Sequence, residues 1–531
     1  MLNNDPDKQY LLHGIKHGFP IINFPNSPVD NVIMHNYSSA LTEHDAVEAQ
    51  ILTEIKEGRY IVVNEKPQIV SALGAIPKPD GGIRLIHDCS RPYGRAINDF
   101  ASINSKIKYQ SVQHATNIIS KSNGYYLAKL DLKHAYRSVK IDPNHYKYAG
   151  LSWHFKGHKE PTWLCDTRLP FGAKLSVECF HRISLAIQRI LASQGIQTVI
   201  YLDDILIISH SHGECLKDLN HTIKTLRALG LSISYNKTEG PCRSLVFLGV
   251  RIDTVTHTLH LPDNKVKDTL QLLQQFQDSS RASLKQLQRL AGKLSWASHV
   301  VQGGRVYLQR VLDLMRPLKQ AYHKVRLSQE FKADIQWWLR FLPSFNSTYF
   351  RRELTPTQLL VTDSCQLAGG ATYNNNDWSY FDWKLDYPEI LSEHINVKEA
   401  MTAILSTYRW APQLANSKVI LLTDNIFTRA MFNKGVCRNK LLMHHMRNLF
   451  WLANFYNFDI ECHHIAGKDN VYSDAISRMR QRGHFLFWYS CISHAAFTIN
   501  DFIQLVMHHM SYKSLSFFIS QVKRLVPWWT N

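Results

Sequence analysis

Two sets of carboxylates in this 531-residue chain fall where metal chemistry would need them. In "VIYLDDILII", residues 199 to 208, Asp203 and Asp204 stand side by side inside an apolar run. Neighbouring carboxylates in a low-dielectric setting either take up protons or require a cation beside them. Val199–Leu202 and Ile205–Ile208 read as strands, which places the acidic pair at a tight hairpin; a plain turn between buried strands is the alternative reading. Upstream, "GYYLAKLDLKHAYRSVKI" carries Asp131 at the end of an alternating apolar segment. If that strand lies beside the hairpin, Asp131, Asp203 and Asp204 converge on one sheet edge. Hard oxygen ligands of this kind suit a pair of Mg²⁺ ions about 3.5–4 Å apart.

The second set is Asp363, Glu399, Asp424 and Asp474. They sit in "QLLVTDS", "INVKEAMTAILSTYRW", "SKVILLTDN" and "GKDNVYSDAISR", two ending strands and two on helices. Four unrelated surface acids are the alternative. His463 and His464, at the end of the strand "FDIECHHIAG", are read as paired-strand histidines without a catalytic role.

The elements that must position these acids form an ordered series. Residues 1–40 read as a loosely structured lead-in, followed by a helix in "TEHDAVEAQILTEIKEG". Strand-like and turn-like segments dominate to about residue 255. From 256 to 350 apolar residues recur at three- and four-residue spacing, as in "SLKQLQRLAGKLSWASHVV" and "VYLQRVLDLM", which predicts a helical module. An α/β pattern occupies 355–480, and residues 481–531 form an extension of unassigned role. No repeat or low-complexity tract stands out.

Composition bounds the function. The net charge of +18 and an isoelectric point near 9.4 call for a polyanionic partner, nucleic acid or an anionic membrane surface. An aromatic share of 11% favours nucleic acid, because aromatic rings stack on bases. The nine cysteines include no C-x-x-C pair, which gives no support for a zinc ribbon or a disulfide framework and predicts a reduced, intracellular protein in the cytoplasm or nucleus. The amino terminus lacks a basic and apolar leader, and the tract "FLFWYSCISHAAF" at 485–497 is too short to span a bilayer; no membrane association is expected.

The segments "LDLKHAY", "LPFGAKLSVECFHRI" and "YLDDILII", in that order and spacing, resemble the central motifs of reverse transcriptases. "NKTEG" followed by "FLGVRI" is similar to the segments that come next in that family, and "AIPKPDGGIRLIHDCSRP" resembles its fingers. The resemblance covers about residues 60–255. It implies a right-hand polymerase of fingers and palm (41–255) with a thumb and connection (256–350). Asp131 and Asp203 would be the principal metal ligands, with Asp204 helping to hold the site. Tyr136 would exclude a 2′-hydroxyl, although a buried tyrosine packing the sheet is the plain alternative. Phe171 and Gly172 would face the incoming deoxynucleoside triphosphate, which would complete the metal coordination. Lys78 and Arg84 would neutralise the triphosphate and Lys237 would assist pyrophosphate departure, a solvent-exposed turn lysine being the alternative.

The four later acids, in order, resemble those of the ribonuclease H domains attached to retroelement reverse transcriptases. That resemblance implies a ribonuclease H-like α/β domain holding two Mg²⁺ ions astride a phosphodiester, Mn²⁺ being an allowed substitute. Together the modules imply an RNA-directed DNA polymerase with linked ribonuclease H activity, acting on RNA template, DNA primer and RNA–DNA hybrid. "QYLLHGIKHGFPI", "GAIPKPDGGIRLIHDCSRPYGRAIND" and the direct order of modules look most like DIRS-type retrotransposons. No aspartic-protease motif, zinc knuckle or integrase site is present, which predicts a piece of a longer element or one of its reading frames. A catalytically inactive, host-adopted relic that binds nucleic acid and an RNA-synthesising polymerase are the rival readings. The sequence does not specify an oligomeric state.

Overall fold

The computed structural model describes residues 5–479 apart from 24–30, 79–80, 104–106, 123, 302, 345, 347, 350–353 and 355. The extension 481–531, with Cys491 and the apolar tract 485–497, lies outside the described residues. Two compact units divide at Thr258–Leu259.

The first unit is built on a four-stranded antiparallel sheet in the order Glu239–Cys242, Tyr126–Asp131, Asp204–Ser209, Thr198–Tyr201. The apolar run around the acidic pair becomes its two adjacent strands, because β-branched side chains pack well on a pleated surface. Helices Lys174–Ser193 and His212–Ala228 cover the sheet, and Leu130, Ile200, Ile205 and Ile207 join Phe180, Ile187, Leu219 and Leu226 in one core. These two helices correct the expectation that strands and turns dominate this stretch. In the first of them, Cys179, Phe180, Ala186, Ile187, Ile190 and Leu191 recur at helical spacing and are all buried. A second, five-stranded sheet runs Val32–Ile33, Ile69–Val70, Gly150–Trp153, Thr162–Asp166, Tyr60–Val63, and the hairpin Leu73–Pro77 with Ile83–His87 stands beside it in sequence.

The expected loose lead-in over 1–40 is also corrected. Lys8–His17 is a helix whose Leu11 and Gly14 are buried, and Phe19, Ile21 and Ile22 enter the same core as the central sheet. Phe19 lies against Gly14 so closely that a Cβ there would come within 2.1 Å of its ring. Arg189 reaches Asp5 at 2.7 Å and Arg182 reaches Asp7 at 2.6 Å, which ties the segment to helix Lys174–Ser193.

The second unit begins with helices Asp263–Asp278, Leu284–Ala297, Gly304–Met315 and Gln329–Ser344, as the periodicity predicts. Its five-stranded sheet runs Asp377–Asp382, Ala368–Tyr373, Thr357–Ser364, Lys418–Thr423, Asp459–His464; the first three strands are antiparallel and the last three parallel. Helices Ile395–Trp410 and Val471–Ser477 pack on this sheet, and Lys440–Phe455 packs on Ile395–Trp410. The helical module and the sheet module join through a buried ion cluster: Asp334 accepts from Arg310 at 2.7 Å and from Arg447 at 3.2 Å. The hairpin formed by Ala368–Tyr373 and Asp377–Asp382 and the helix Ile426–Lys434 are additions to the sequence reading. Among the described residues no helix is long and apolar enough to cross a membrane.

Burial of Phe19 generates a direct test of the lead-in's place in the core. Phe19→Ala should lower the stability of the first unit by roughly 3–5 kcal/mol, whereas Ile15→Ala, at an exposed position of the same segment, should change it by less than about 0.5 kcal/mol. Equal small effects in denaturant unfolding would show that the segment lies outside the core.

Candidate functional site

The first acidic set is assembled by strand register. Asp204 lies opposite Asp131 in the antiparallel ladder, and directly opposed residues project from the same face. Tyr201 pairs with Asp204 across a two-residue hairpin formed by Leu202 and Asp203. Leu202 takes φ 54°, the positive value that such tight hairpins require at their first central position, and its carbonyl is held by Ser184 Oγ at 2.9 Å. Leu132 N donates to Asp203 O at 3.1 Å, which fastens the chain after Asp131 to the hairpin. Burial, reinforced by Asp131, raises the pKa of Asp203. Burial followed by the charges of Asp203 and Asp131 pushes that of Asp204 up to about 6.

A cleft of about 600 Å³ opens over Asp131 and Asp203, while Asp204 and Gly172 are not part of its lining. Of the predicted residues, Lys78, Arg84, Asp131, Tyr136, Phe171, Asp203 and Lys237 line it. Lys237 Nζ stands 3.0 Å from Asp131 Oδ2, so this lysine is paired with a site carboxylate and is more than a solvated turn residue. Arg84 lies close enough to Asp203 to favour its ionised form. Tyr136 is almost fully buried between Phe180 and Phe171, with ring centroids 4.9 and 5.2 Å away. It therefore packs the core and lines the cleft at once. Gly172 has φ 124°, and a Cβ there would come within 2.2 Å of His87 O; no other residue fits.

Sequence reasoning missed the group that fixes this loop. Asn98 donates to Gly172 O at 2.9 Å and to Ser90 Oγ at 2.9 Å, while its own Oδ1 accepts from Lys174 N at 2.8 Å. No local signal marks an asparagine that acts across 74 residues.

The second acidic set comes from strand Thr357–Ser364, helix Ile395–Trp410 and the residue that follows strand Lys418–Thr423. Among the described residues, Asp363, Glu399 and Asp424 are the group able to bring one ligand atom each within 4.8 Å of one another. Asp131, Asp203 and Asp204 are not gathered so tightly. Asp474 lies near enough to raise the pKa of Asp363, but its Oδ1 is taken by Arg478 Nε at 2.6 Å. Ser477 Oγ donates to Asp363 Oδ2 at 2.7 Å, a second contact absent from the sequence reading. It is possible because helix Val471–Ser477 sits flat on Gly370, where a Cβ would meet Ser477 N at 2.4 Å. His463 pairs with Glu461 at 3.0 Å, as befits a strand histidine, whereas His464 lies near enough to Asp424 to favour its ionised form.

Burial and then the charges of Asp363 and Asp424 push the Glu399 carboxyl up to about 9, and burial pushes Asp363 up to about 6. Glu399 Oε2 has no hydrogen-bond partner among the described residues. An unpartnered buried oxygen between two other carboxylates fits a divalent cation, and hard oxygen donors fit Mg²⁺ or Mn²⁺.

These shifts set a pH dependence. A carboxyl whose native pKa lies above its unfolded value takes up protons on folding, so its favourable contribution is full below the ordinary glutamate value of 4.5 and fades as pH rises towards about 9. In the presence of a chelator the second unit should lose thermal stability over that window, and Mg²⁺ should restore it. Glu399→Gln should remove most of the slope and raise the chelated protein's melting temperature at pH 8 by about 3 °C. A melting curve for Glu399→Gln as pH-sensitive as that of the parent protein would contradict this electrostatic picture.

Residues 76–252 match the family model described as reverse transcriptase (RNA-dependent DNA polymerase). The chain is 25% identical over 340 residues to the enzymatic polyprotein of Cauliflower mosaic virus (strain D/H), covering 58% of this chain and 45% of the relative. It is 22% identical over 461 residues to the retrovirus-related Pol polyprotein from transposon 412 of Drosophila melanogaster, covering 84% of this chain and 34% of the relative. It thus spans under half the length of these two curated polyproteins. Among solved structures it resembles the foamy viral protease-reverse transcriptase in complex with dsDNA, with a TM-score of 0.51, 18% identity, and coverage of 88% of this chain and 94% of that one. The same foamy viral protein in complex with RNA/DNA hybrid gives a TM-score of 0.52 at 18% identity, over 87% of this chain and 61% of that one. The fold resembles that of a polymerase carrying a ribonuclease H-like α/β domain, and residues 76–252 are similar to the reverse transcriptase domains of retroelement and viral polyproteins.

Proposed function

We propose that the chain copies RNA into DNA and degrades the RNA of the resulting hybrid. In this reading residues 41–255 are fingers and palm, 256–350 thumb and connection, and 355–480 the nuclease. The observation that carries it is the cleft of about 600 Å³, where Asp131 and Asp203 face Lys78, Arg84 and Tyr136. One wall binds divalent cations and the other neutralises phosphate, the two requirements of a nucleoside triphosphate. Bound Mg²⁺ would activate the attacking 3′-hydroxyl and stabilise the leaving pyrophosphate.

The protein's own residues do the rest. Asp131 and Asp203 would hold the metal, with Asp204 adding negative potential behind them. Lys78 and Arg84 draw the triphosphate into line. Tyr136 places its ring beneath the sugar, and Gly172, packed against His87 O, holds the turn that presents Phe171 to the cleft. Lys237, 3.0 Å from Asp131 in the cleft, would supply the positive charge for the leaving pyrophosphate. In the second unit Asp363, Glu399 and Asp424 would hold the cleavage metals, and Asp474, paired with Arg478, would be the fourth acid of the set. The double-helical ligands of the foamy viral neighbours support a nucleic-acid duplex as the ligand here. Its grip is electrostatic, in keeping with the net charge of +18. Within retroelements, the motif sequences favour a DIRS-type source.

Asp203→Asn should reduce primer extension by at least roughly 100-fold while leaving cleavage of a preformed hybrid intact; Asp424→Asn should do the reverse. Both variants would be assayed on one labelled hybrid, with melting curves to confirm folding. Joint loss of both activities in either folded variant would refute two separate metal sites. Tyr136→Ala should raise ribonucleotide use relative to deoxynucleotide use by at least about tenfold, equivalent to ~1.4 kcal/mol, in single-nucleotide incorporation. Unchanged discrimination would remove Tyr136 from the role of gate.

A further inference from the structure

On the inner wall of the cleft, where Glu54, Tyr60, His87 and Arg137 contribute to its lining, lies a buried group of charges that the proposed chemistry does not use. Arg137, the residue after Tyr136, turns into the protein. Its Nη1 donates to Asp166 Oδ2 at 2.6 Å, and its Nη2 and Nε donate to Glu54 Oε2 at 2.8 and 3.1 Å. Arg59 Nε also donates to Glu54 Oε2, at 2.7 Å. The side chains of Glu54, Arg137 and Asp166 are 5%, 7% and 0% exposed. They come from three separate places: helix His44–Lys56, the short turn Tyr136–Ser138 and the end of strand Thr162–Asp166.

Stability alone is a poor reason for such a group. Burying two arginines and two carboxylates costs desolvation that their attraction roughly repays, and apolar replacements of similar volume often do as well or better. What an arginine fork supplies is geometry, since it holds two acceptors at fixed directions.

That geometry reaches both walls of the cleft. On one side Arg137 is bonded directly to Tyr136. On the other its guanidinium lies over the Tyr60 ring at 5.2 Å, Tyr60 Oη meets His87 Nε2 at 2.7 Å, and His87 N donates to Phe171 O at 3.2 Å. His87 O is also the atom against which Gly172 is packed. Tyr136 and Phe171, whose rings touch, are therefore both anchored on Arg137.

We propose that Arg137 is a positioning residue for sugar selection. Its fork, shared between Glu54 and Asp166, sets the depth of Tyr136 in the cleft and, through Tyr60 and His87, the height of Phe171 and Gly172. The choice between deoxynucleoside and ribonucleoside triphosphates then depends on where this network holds the Tyr136 ring, with Phe171 acting as the ring's neighbour. The inference rests on the polymerase reading above.

The test is a double-substitution cycle on the full chain. Single-nucleotide incorporation of a deoxynucleotide and its ribonucleotide counterpart is measured for the parent protein, Arg137→Lys, Glu54→Gln, Tyr136→Ala and the two doubles with Tyr136→Ala. Arg137→Lys keeps the charge but loses the fork. It should lower discrimination by about tenfold, mainly by raising KM for the deoxynucleotide, with kcat changed by less than about threefold; a coupling of that size is ordinary for residues in contact. In the Tyr136→Ala background the same substitution should alter discrimination by less than about twofold. Glu54→Gln, which leaves Asp166 on Arg137, should act in the same direction and serves if Arg137→Lys does not fold. An equal effect in both backgrounds, unchanged discrimination in both single variants, or failure of both to fold would overturn the proposal. Absence of any extension by the parent protein would instead count against the polymerase reading.

Discussion

The mutual repulsion of carboxylates held at sheet edges is the constraint around which both units are arranged. Register puts Asp204 opposite Asp131, and the two-residue turn places Asp203 beside them. In the second unit, strands Thr357–Ser364 and Lys418–Thr423 run parallel, which brings Asp363 near Asp424, while helix Ile395–Trp410 delivers Glu399 between them. Burial and like charge push Asp203, Asp204, Asp363, Asp424 and Glu399 towards protonation, up to about 9 for Glu399. A site of this kind stores unfavourable electrostatics in the absence of a cation and becomes favourable once one is bound.

Around each set the fold supplies rigid support. In the first unit helix Lys174–Ser193 braces the hairpin through Ser184 and the neighbouring loop through Lys174. The amino-terminal segment is tied to that helix by Asp5 and Asp7, so residues far from the acids in sequence help to hold their supports. In the second unit Gly370 admits the last helix close to the sheet, and Ser477 thereby reaches Asp363. The ion cluster of Asp334, Arg310 and Arg447 joins the helical module to the sheet module, which explains why these two stretches form one compact unit.

Much of this was legible because its signals are local. An acid at the end of an apolar strand, such as Asp131 or Asp363, is marked by its immediate neighbours, and the helix Ile395–Trp410 is a sixteen-residue run without Gly or Pro. The amino-terminal helix was not legible, because only Leu11 and Gly14 of its ten residues are buried and its flanks are rich in polar residues and proline. The strand Ala368–Tyr373 was obscured by two glycines whose reason is the close approach of Thr402 and Ser477. Long-range partners were beyond reach for a simpler reason. Arg137 and Glu54 lie 83 residues apart and Lys237 and Asp131 lie 106 apart, and a single sequence carries no signal that joins them.

The central claim is that one chain holds two cation-binding carboxylate sites with complementary work on nucleic acid. The most direct measurement is extension of a DNA primer on an end-labelled RNA template by the intact chain, with and without Mg²⁺, following both strands on one gel. The account expects full-length DNA and shortened RNA to appear together when Mg²⁺ is present and neither to appear when it is chelated. A folded protein that binds the hybrid and Mg²⁺ yet neither lengthens the primer nor cuts the template would contradict it.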